Sequence, residues 1–269
     1  MPMLTSERQQ QILDMLLKSQ SLTVAEMSEL FDVSAVTIRS DLNALAEQGR
    51  VVRTRGGAVI ANGRVRQELT VATRQRIRAA HKRAIGELAA TLVQPHDSVL
   101  LDASTTAAAV GQAFKRHREL HDVTVVTTGI WTALELLDAP HLQVVLSGGY
   151  VRNTTGSIAG SITQKVLEAF NFNKAFLGAW GLTLKEGLTD THLAEVDLKQ
   201  SIIPRAQEIV AVVDGTKFGR LGLASFAPIE RLTCVITDDD APPDTLAELR
   251  ARGVRVMVAT VARPPGGDE

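Results

Sequence analysis

Val33-Ser-Ala-Val-Thr-Ile-Arg-Ser-Asp-Leu42 has the spacing of a short amphipathic helix, with Ile38, Leu42 and then Leu45 on one face. Ser34 stands ahead of the first helical position, where a hydroxyl caps an unpaired N–H, and Gly49 follows as a helix-ending residue. Upstream, Asp32-Val33 leaves room only for a brief turn. Before it, Thr23-Val-Ala-Glu26 reads as a capping box opening a short helix through Met27, Leu30 and Phe31. A second box, Ser6-Glu-Arg-Gln9, precedes a helix with Ile12, Leu13, Leu16 and Leu17 inward. Three short helices with a tight turn between the last two describe a helix-turn-helix. Downstream, Val51-Val52 and Ala58-Val59 pair as short strands around a Gly56-Gly57 turn, making the domain winged.

Such a domain binds double-stranded DNA through its third helix. Ser34, Val36, Thr37, Arg39, Ser40 and Asn43 lie off the apolar stripe and are expected to meet phosphates or base edges. Arg53 and Arg55 are expected to project from the wing toward the DNA backbone. The net charge of the chain is only −1, yet Arg50 to Arg83 holds ten Lys/Arg against one acid, Glu68. A basic stripe inside a neutral protein suits a polyanion touched locally.

The rest of the chain has a different rhythm. Residues 1–62 are assigned to the winged domain, 63–80 to a linker, 81–262 to a larger α/β domain and 263–269 to a tail. Strands are expected at Val99–Asp102, Val123–Thr127, Leu142–Leu146, Lys174–Leu177, Glu208–Val213, Cys234–Thr237 and Val254–Val258. Helices intervene around Thr106–Phe114, Trp131–Leu137, Ser161–Phe170, Ala194–Ala206 and Thr245–Arg252. Apolar runs alternating with helices predict a doubly wound, mainly parallel sheet covered on both faces. Ligands of such sheets bind beyond the C-terminal strand ends. Here those ends read Asp102-Ala-Ser-Thr-Thr106, Thr127-Thr-Gly129, Ser147-Gly-Gly149 and Asp214-Gly-Thr-Lys217. One such junction is a turn with an N-cap; several converging make an anion cradle. Lys217 would supply a cation, and Asp102 or Asp214 would accept sugar hydroxyls.

Val33 to Leu42, with Gly49 and Arg53-Thr-Arg-Gly-Gly-Ala58, resembles the DeoR family of bacterial regulators. One departure is Ser40, which stands where the family very often has a second Arg. The resemblance continues through the strand-end loops and through Gly187-Leu-Thr189 with Glu195 and Lys199. It implies a sensor domain similar to ribose-5-phosphate isomerase and a phosphorylated sugar as effector. The implied effector residues are Asp102, Ser104, Thr105, Thr106, Thr127, Thr128, Gly129, Gly148, Gly149, Glu195, Asp214 and Lys217, with Ser104 replacing a usual Gly. It further implies a repressor of carbohydrate-metabolism genes working as a dimer or tetramer on paired half-sites.

Other readings stay open from residues alone. Asp102, Glu186, Asp190, Glu195 and Asp197 are carboxylates for an isomerase-like enzyme, but no spacing singles out a base and its partner acid. The α/β domain would alternatively be a non-sensing oligomerisation module. The six histidines show no metal-ligand spacing, so neither metal nor cofactor is expected. The lone Cys234 sits in an apolar run and reads as a small buried hydrophobe. No signal pattern or apolar run of spanning length is read, and the expected location is the cytoplasm.

Overall fold

The structure is a computed structural model describing residues 5–19, 21–48, 50–54, 56–60 and 70–261. It contains two compact units that meet in sequence at Ile77 and Arg78. Arg55, expected in the wing, lies outside the described residues, as do residues 63–69 of the expected linker.

In the first unit the described elements are α1 (Thr5–Ser19), β1 (Ser21–Thr23), α2 (Val24–Leu30), α3 (Ala35–Glu47), β2 (Val51–Thr54), β3 (Gly57–Ile60) and α4 (Val71–Arg76). Ile12, Leu13, Leu16, Val24, Met27, Ile38, Leu42, Leu45, Val51 and Ala58 make one apolar core. The Thr23/Glu26 box forms as expected, the Glu26 amide donating to Thr23 Oγ1 at 3.2 Å and the Thr23 amide to Glu26 Oε2 at 2.7 Å. Ser34 caps α3, accepting from the Thr37 amide at 3.1 Å. The Ser6/Gln9 box is a correction: Ser6 lies within α1, and Gln9 Nε2 donates to Asp41 Oδ1 at 3.1 Å. α1 already runs through Ser6, so its hydroxyl does not stand at a cap position.

The wing has a third strand that the sequence did not announce. β3 pairs antiparallel with β1 as well as β2. Thr54 faces Gly57, so Gly57 belongs to the strand and the turn sits one residue earlier than expected. The reason is close approach: a Cβ on Gly57 would lie 2.1 Å from the Leu22 carbonyl oxygen.

The second unit runs α5 (Ala79–Ala90), β4 (Ser98–Leu101), α6 (Thr105–Arg116), β5 (Val123–Thr127), α7 (Ile130–Leu136), β6 (Leu142–Leu146), β7 (Tyr150–Arg152) and β8 (Ser157–Ala159). It continues with α8 (Ser161–Glu168), β9 (Phe172–Leu177), β10 (Gly181–Thr183), β11 (Gly187–Asp190), α9 (Leu193–Ile202) and β12 (Ala206–Val212). It ends with β13 (Ala224–Ala227), β14 (Cys234–Asp238), α10 (Pro243–Ala251) and β15 (Arg255–Ala259). Seven strands form one parallel sheet in the order β15-β14-β12-β9-β4-β5-β6.

Alternate residues of the central strands feed two cores. Leu100, Val126, Ala175, Leu177, Ile209 and Val235 pack with α8, α9 and α10 residues such as Leu167, Ile202 and Leu249. Val99, Leu101, Val125, Phe176, Val210 and Ile236 pack with Ile85, Val110, Phe114 and Leu136 of α5, α6 and α7. The sheet is therefore doubly wound. Its order reverses between β4 and β9, which places a crevice at their C-terminal ends. α9 stops at Ile202, short of the expected Ala206, because Pro204 cannot continue the helix.

Candidate functional site

On the first unit, Val36, Arg39, Ser40 and Asn43 form one exposed stripe of α3, opposite buried Ile38, Leu42 and Leu45. Their spacing of three and four residues keeps them on one helix face. Val36 is 71% exposed, an apolar side chain presented to solvent in a polar neighbourhood. Thr37 is half-buried, its hydroxyl 2.9 Å from that of Ser34. Arg53 lies beside this stripe. Its Nη1 donates to the Arg39 carbonyl at 3.2 Å and to Asn43 Oδ1 at 3.1 Å. The wing strand lies beside α3, so the guanidinium satisfies helix acceptors instead of pointing away, and it fixes the Asn43 amide.

Asp41 was missed. It is 2% exposed and takes Arg8 Nε at 2.6 Å, tying α1 to α3 beneath the stripe. An acid in the middle of an apolar helix face was the available signal.

On the second unit, Asp102 ends β4 at the reversal point. Its Oδ1 accepts from the Ser104 amide and its Oδ2 from the Gly178 amide beyond β9, both at 2.9 Å. Lys199 Nζ lies 3.3 Å from the same Oδ2, 2.9 Å from Asp190 Oδ2 and 2.9 Å from the Gly178 carbonyl. Burial alone would lower the Lys199 pKa, but the Asp190, Asp102 and Glu195 carboxylates outweigh it and raise it. For Asp190 burial pushes upward, and the Lys199 ammonium overrides it and holds the carboxyl below its ordinary range. Lys199 is thus a charged strut joining β4, β9, β11 and α9.

The neighbouring loops crowd the same end. Ser104 caps α6 through the Ala107 amide at 3.1 Å, with half-buried Thr105 and buried Thr106 in the first turn. Gly129 passes so close that a Cβ there would be 3.1 Å from Ala103 Cα. Thr127 Oγ1 is committed to the Leu101 carbonyl at 2.9 Å and the Gly129 amide at 3.1 Å. Thr128 Oγ1 and Ser147 Oγ are buried and find no partner among the described residues. Gly148 gives its carbonyl to Thr163 Oγ1 at 2.9 Å, and Gly149, at φ +142, abuts that hydroxyl.

The hairpin β7–β8 lies against this edge, the Ile158 amide donating to the Thr128 carbonyl at 2.7 Å. Glu195 reaches it from α9, accepting from Arg152 Nη1 at 2.7 Å and from Ser157 Oγ. Asp214 Oδ1 takes the Thr216 amide at 3.0 Å and lies 3.4 Å from Arg78 Nε. Lys217 Nζ sits 5.5 Å from the centre of the Trp180 ring.

Asp102 and Asp214 bear on the loops themselves. Both are 2% exposed and committed to protein donors, so they shape loops. Asp102, Ser104, Thr105, Thr106, Thr127, Thr128 and Gly129 converge, and Lys217 approaches through Trp180. Lys199, Asp190 and Trp180 complete the crevice; of these, only Asp190 and Lys199 had drawn notice. Arg78 Nη2 lies 2.7 Å from His81 Nδ1, 3.1 Å from Asp238 Oδ2 and 2.6 Å from Asp240 Oδ2, a cation already seated among potential metal ligands. Burial pushes the Cys234 thiol up to about 11, as suits a residue packed in the core. Among the described residues no helix is long and apolar enough to cross a membrane.

Comparison with known proteins agrees with both units. Residues 8–64 match the DeoR-like helix-turn-helix domain and residues 77–239 the DeoR C terminal sensor domain. The HTH-type transcriptional regulator GolR of Listeria innocua is 35% identical over 94% of this chain and 98% of its own length. A putative aga operon transcriptional repressor of Escherichia coli O157:H7 is 33% identical over 94% of each chain. The HTH-type transcriptional repressor GlcR of Bacillus subtilis is 32% identical over 95% of this chain and 97% of its own. Among solved structures, ribose 5 phosphate isomerase A from Neisseria gonorrhoeae aligns over 51% of this chain and 52% of its own at 14% identity, with a TM-score of 0.38. The three sequence relatives are regulators of transcription, and their likeness runs through both domains. The chain belongs to the DeoR family of DNA-binding transcriptional regulators.

Proposed function

We propose that this regulator represses carbohydrate-metabolism genes and that a phosphorylated sugar, bound where the sheet order reverses, controls its grip on the operator. The observation that carries the reading is the pair of buried hydroxyls without partners among the described residues, Thr128 and Ser147, just past the C-terminal ends of the neighbouring strands β5 and β6. Buried polar groups are nearly always satisfied, so an unpaired pair at a ligand-binding strand end argues for a bound polar group. The first amides of α6, at Thr105 and Thr106, face out of the helix and favour an anion. Lys217 adds a cation at the far lip.

Thermal denaturation with a panel of sugar phosphates tests this. Saturation at a hundred times Kd is worth about 2.7 kcal/mol, which raises the melting temperature of a domain this size by about 5–10 °C. Lys217→Ala removes most of that rise while leaving operator affinity in place. If no sugar phosphate shifts the melting curve, the crevice is not an effector site and the oligomerisation reading replaces it.

For the DNA half, the α3 stripe enters the major groove and pairs of chains occupy repeated half-sites. Arg39→Ala is expected to weaken operator binding by roughly 10- to 100-fold, the value of one good base or phosphate contact. Anisotropy titration at several salt concentrations measures it. A loss that relaxes sequence preference marks a base contact, one that lowers the salt slope marks a phosphate contact, and unchanged affinity removes Arg39 from the interface.

A further inference from the structure

We propose that Trp180 is the platform on which the closed ring of a sugar phosphate stacks, so that the site favours pyranose or furanose phosphates over open-chain ones. This rests on the phosphosugar reading above and names the class of ligand.

The placement of Trp180 is the first ground. It lies two residues past Gly178, whose amide holds Asp102 and whose position is so tight against Ser104 that a Cβ there would meet the Ser104 Cβ at 2.4 Å. The segment is held from its other side as well, the Trp180 amide donating to the Thr189 carbonyl at 3.0 Å. Farther along, the Gly219 amide donates to the Leu182 carbonyl at 2.9 Å, bringing the Asp214–Lys217 loop beside it. Trp180 is thus fixed on the β9 lip of the crevice, between the start of α6 and Lys217.

The second ground is what the residue does not do. Ala179 and Leu182 pack into the core of the sheet, but Trp180 belongs to neither of the two apolar clusters of this unit. It is half-buried, and its ring nitrogen is inside, so the part of the indole that meets solvent is carbon. A large aromatic surface kept out of the core, at a polar strand end, leaves apolar area for a ligand.

The third ground is the neighbour. Lys217 Nζ over the ring holds a positive charge within cation–π range. An anion and a C–H face are wanted a few ångströms apart. A closed sugar ring carries a rigid face of C–H groups next to its phosphate. An open-chain polyol phosphate has no such face and loses rotor freedom to imitate one.

Calorimetric titration of the full-length protein with aldose phosphates, each paired with the alditol phosphate obtained by reducing it, isolates the ring as the variable. The best-bound aldose phosphate is expected to exceed its alditol by at least tenfold, in line with one aromatic stacking contact. Trp180→Ala abolishes that preference by weakening the aldose phosphate about tenfold, and Trp180→Phe, which keeps a flat ring and the fold, retains most of it. The chain has two tryptophans, so Trp131→Phe leaves Trp180 as the only indole, and its emission should follow the binding isotherm. Equal affinity for aldose and alditol phosphates, or equal loss of both in Trp180→Phe, overturns the platform while sparing the effector site. Failure of every sugar phosphate to bind the unaltered protein overturns both.

Discussion

Lys199→Met is expected to lower the melting temperature of the sensor unit by about 10 °C. Methionine keeps the aliphatic stem, so the change removes a charge from a filled volume rather than opening a cavity. Asp102 and Asp190 then share a site that has lost its cation, Asp102 being 2% exposed. Breaking a buried ion pair on one side costs about 3–5 kcal/mol, and a domain of this size loses about 2–4 °C per kcal/mol.

The pH profile gives the cause. Asp190 has its folded pKa depressed below the ordinary 3.8, so its share of stability is complete above that value and vanishes as pH falls through the lower folded one. Lys199 is raised above the ordinary 10.5, so its share is complete below that value and is lost as pH rises through the higher folded one. The gap between wild type and Lys199→Met should therefore be flat through neutrality and close in acid, where Asp190 takes up a proton. A fall of less than about 2 °C at pH 7 would mean that the strut carries no stability.

Asp41→Ala should cost the DNA-binding unit more visibly, since that unit is small and has little stability to spare. The Arg8 guanidinium, with a side chain 8% exposed, would be left without its 2.6 Å partner inside the trihelical core. A loss of about 3 kcal/mol or more from a domain of roughly 60–80 residues lowers its transition by about 12 °C or more. Operator binding disappears with it, although Asp41 lies on the buried side of α3. Two thermal transitions separate the cases, because the sensor transition should not move. Asp41→Asn, which still accepts a hydrogen bond, should recover part of the loss; a transition within about 4 °C of wild type would show that Arg8 relaxes into solvent at little cost.

Legibility in the sequence followed the reach of the interactions. All seven strands of the parallel sheet were readable: the inner ones are largely buried on both faces, so their apolar runs are continuous, as in Val123–Thr127 and Cys234–Asp238, and the partly exposed edge strands β6 and β15 still carry apolar runs. Apart from the wing hairpin β2–β3, the short antiparallel pieces were not. β1 and the β10-β11-β13 sheet are three or four residues per strand, too short for a period to show. Thr23/Glu26 and Ser34 were legible because a cap is local. The Ser6/Gln9 box failed because α1 already includes Ser6, and the partner that holds the Gln9 side chain, Asp41, is 32 residues away in sequence. The crevice showed the same divide: the loop residues announced themselves, while the commitments of Asp102 to Gly178 and of Lys217 to Trp180 depend on which strands become neighbours.

The strand order has a consequence in time. The helix-turn-helix and its wing are complete by Ile60, whereas the sheet has β4 and β9 at its centre and receives its last edge, β15, only at Ala259. Ribosomes add about 5–20 residues per second, so the roughly 200 residues between them take on the order of 10–40 s to appear. For that interval the DNA-binding unit is complete on the nascent chain while the sheet of the second unit still lacks strands.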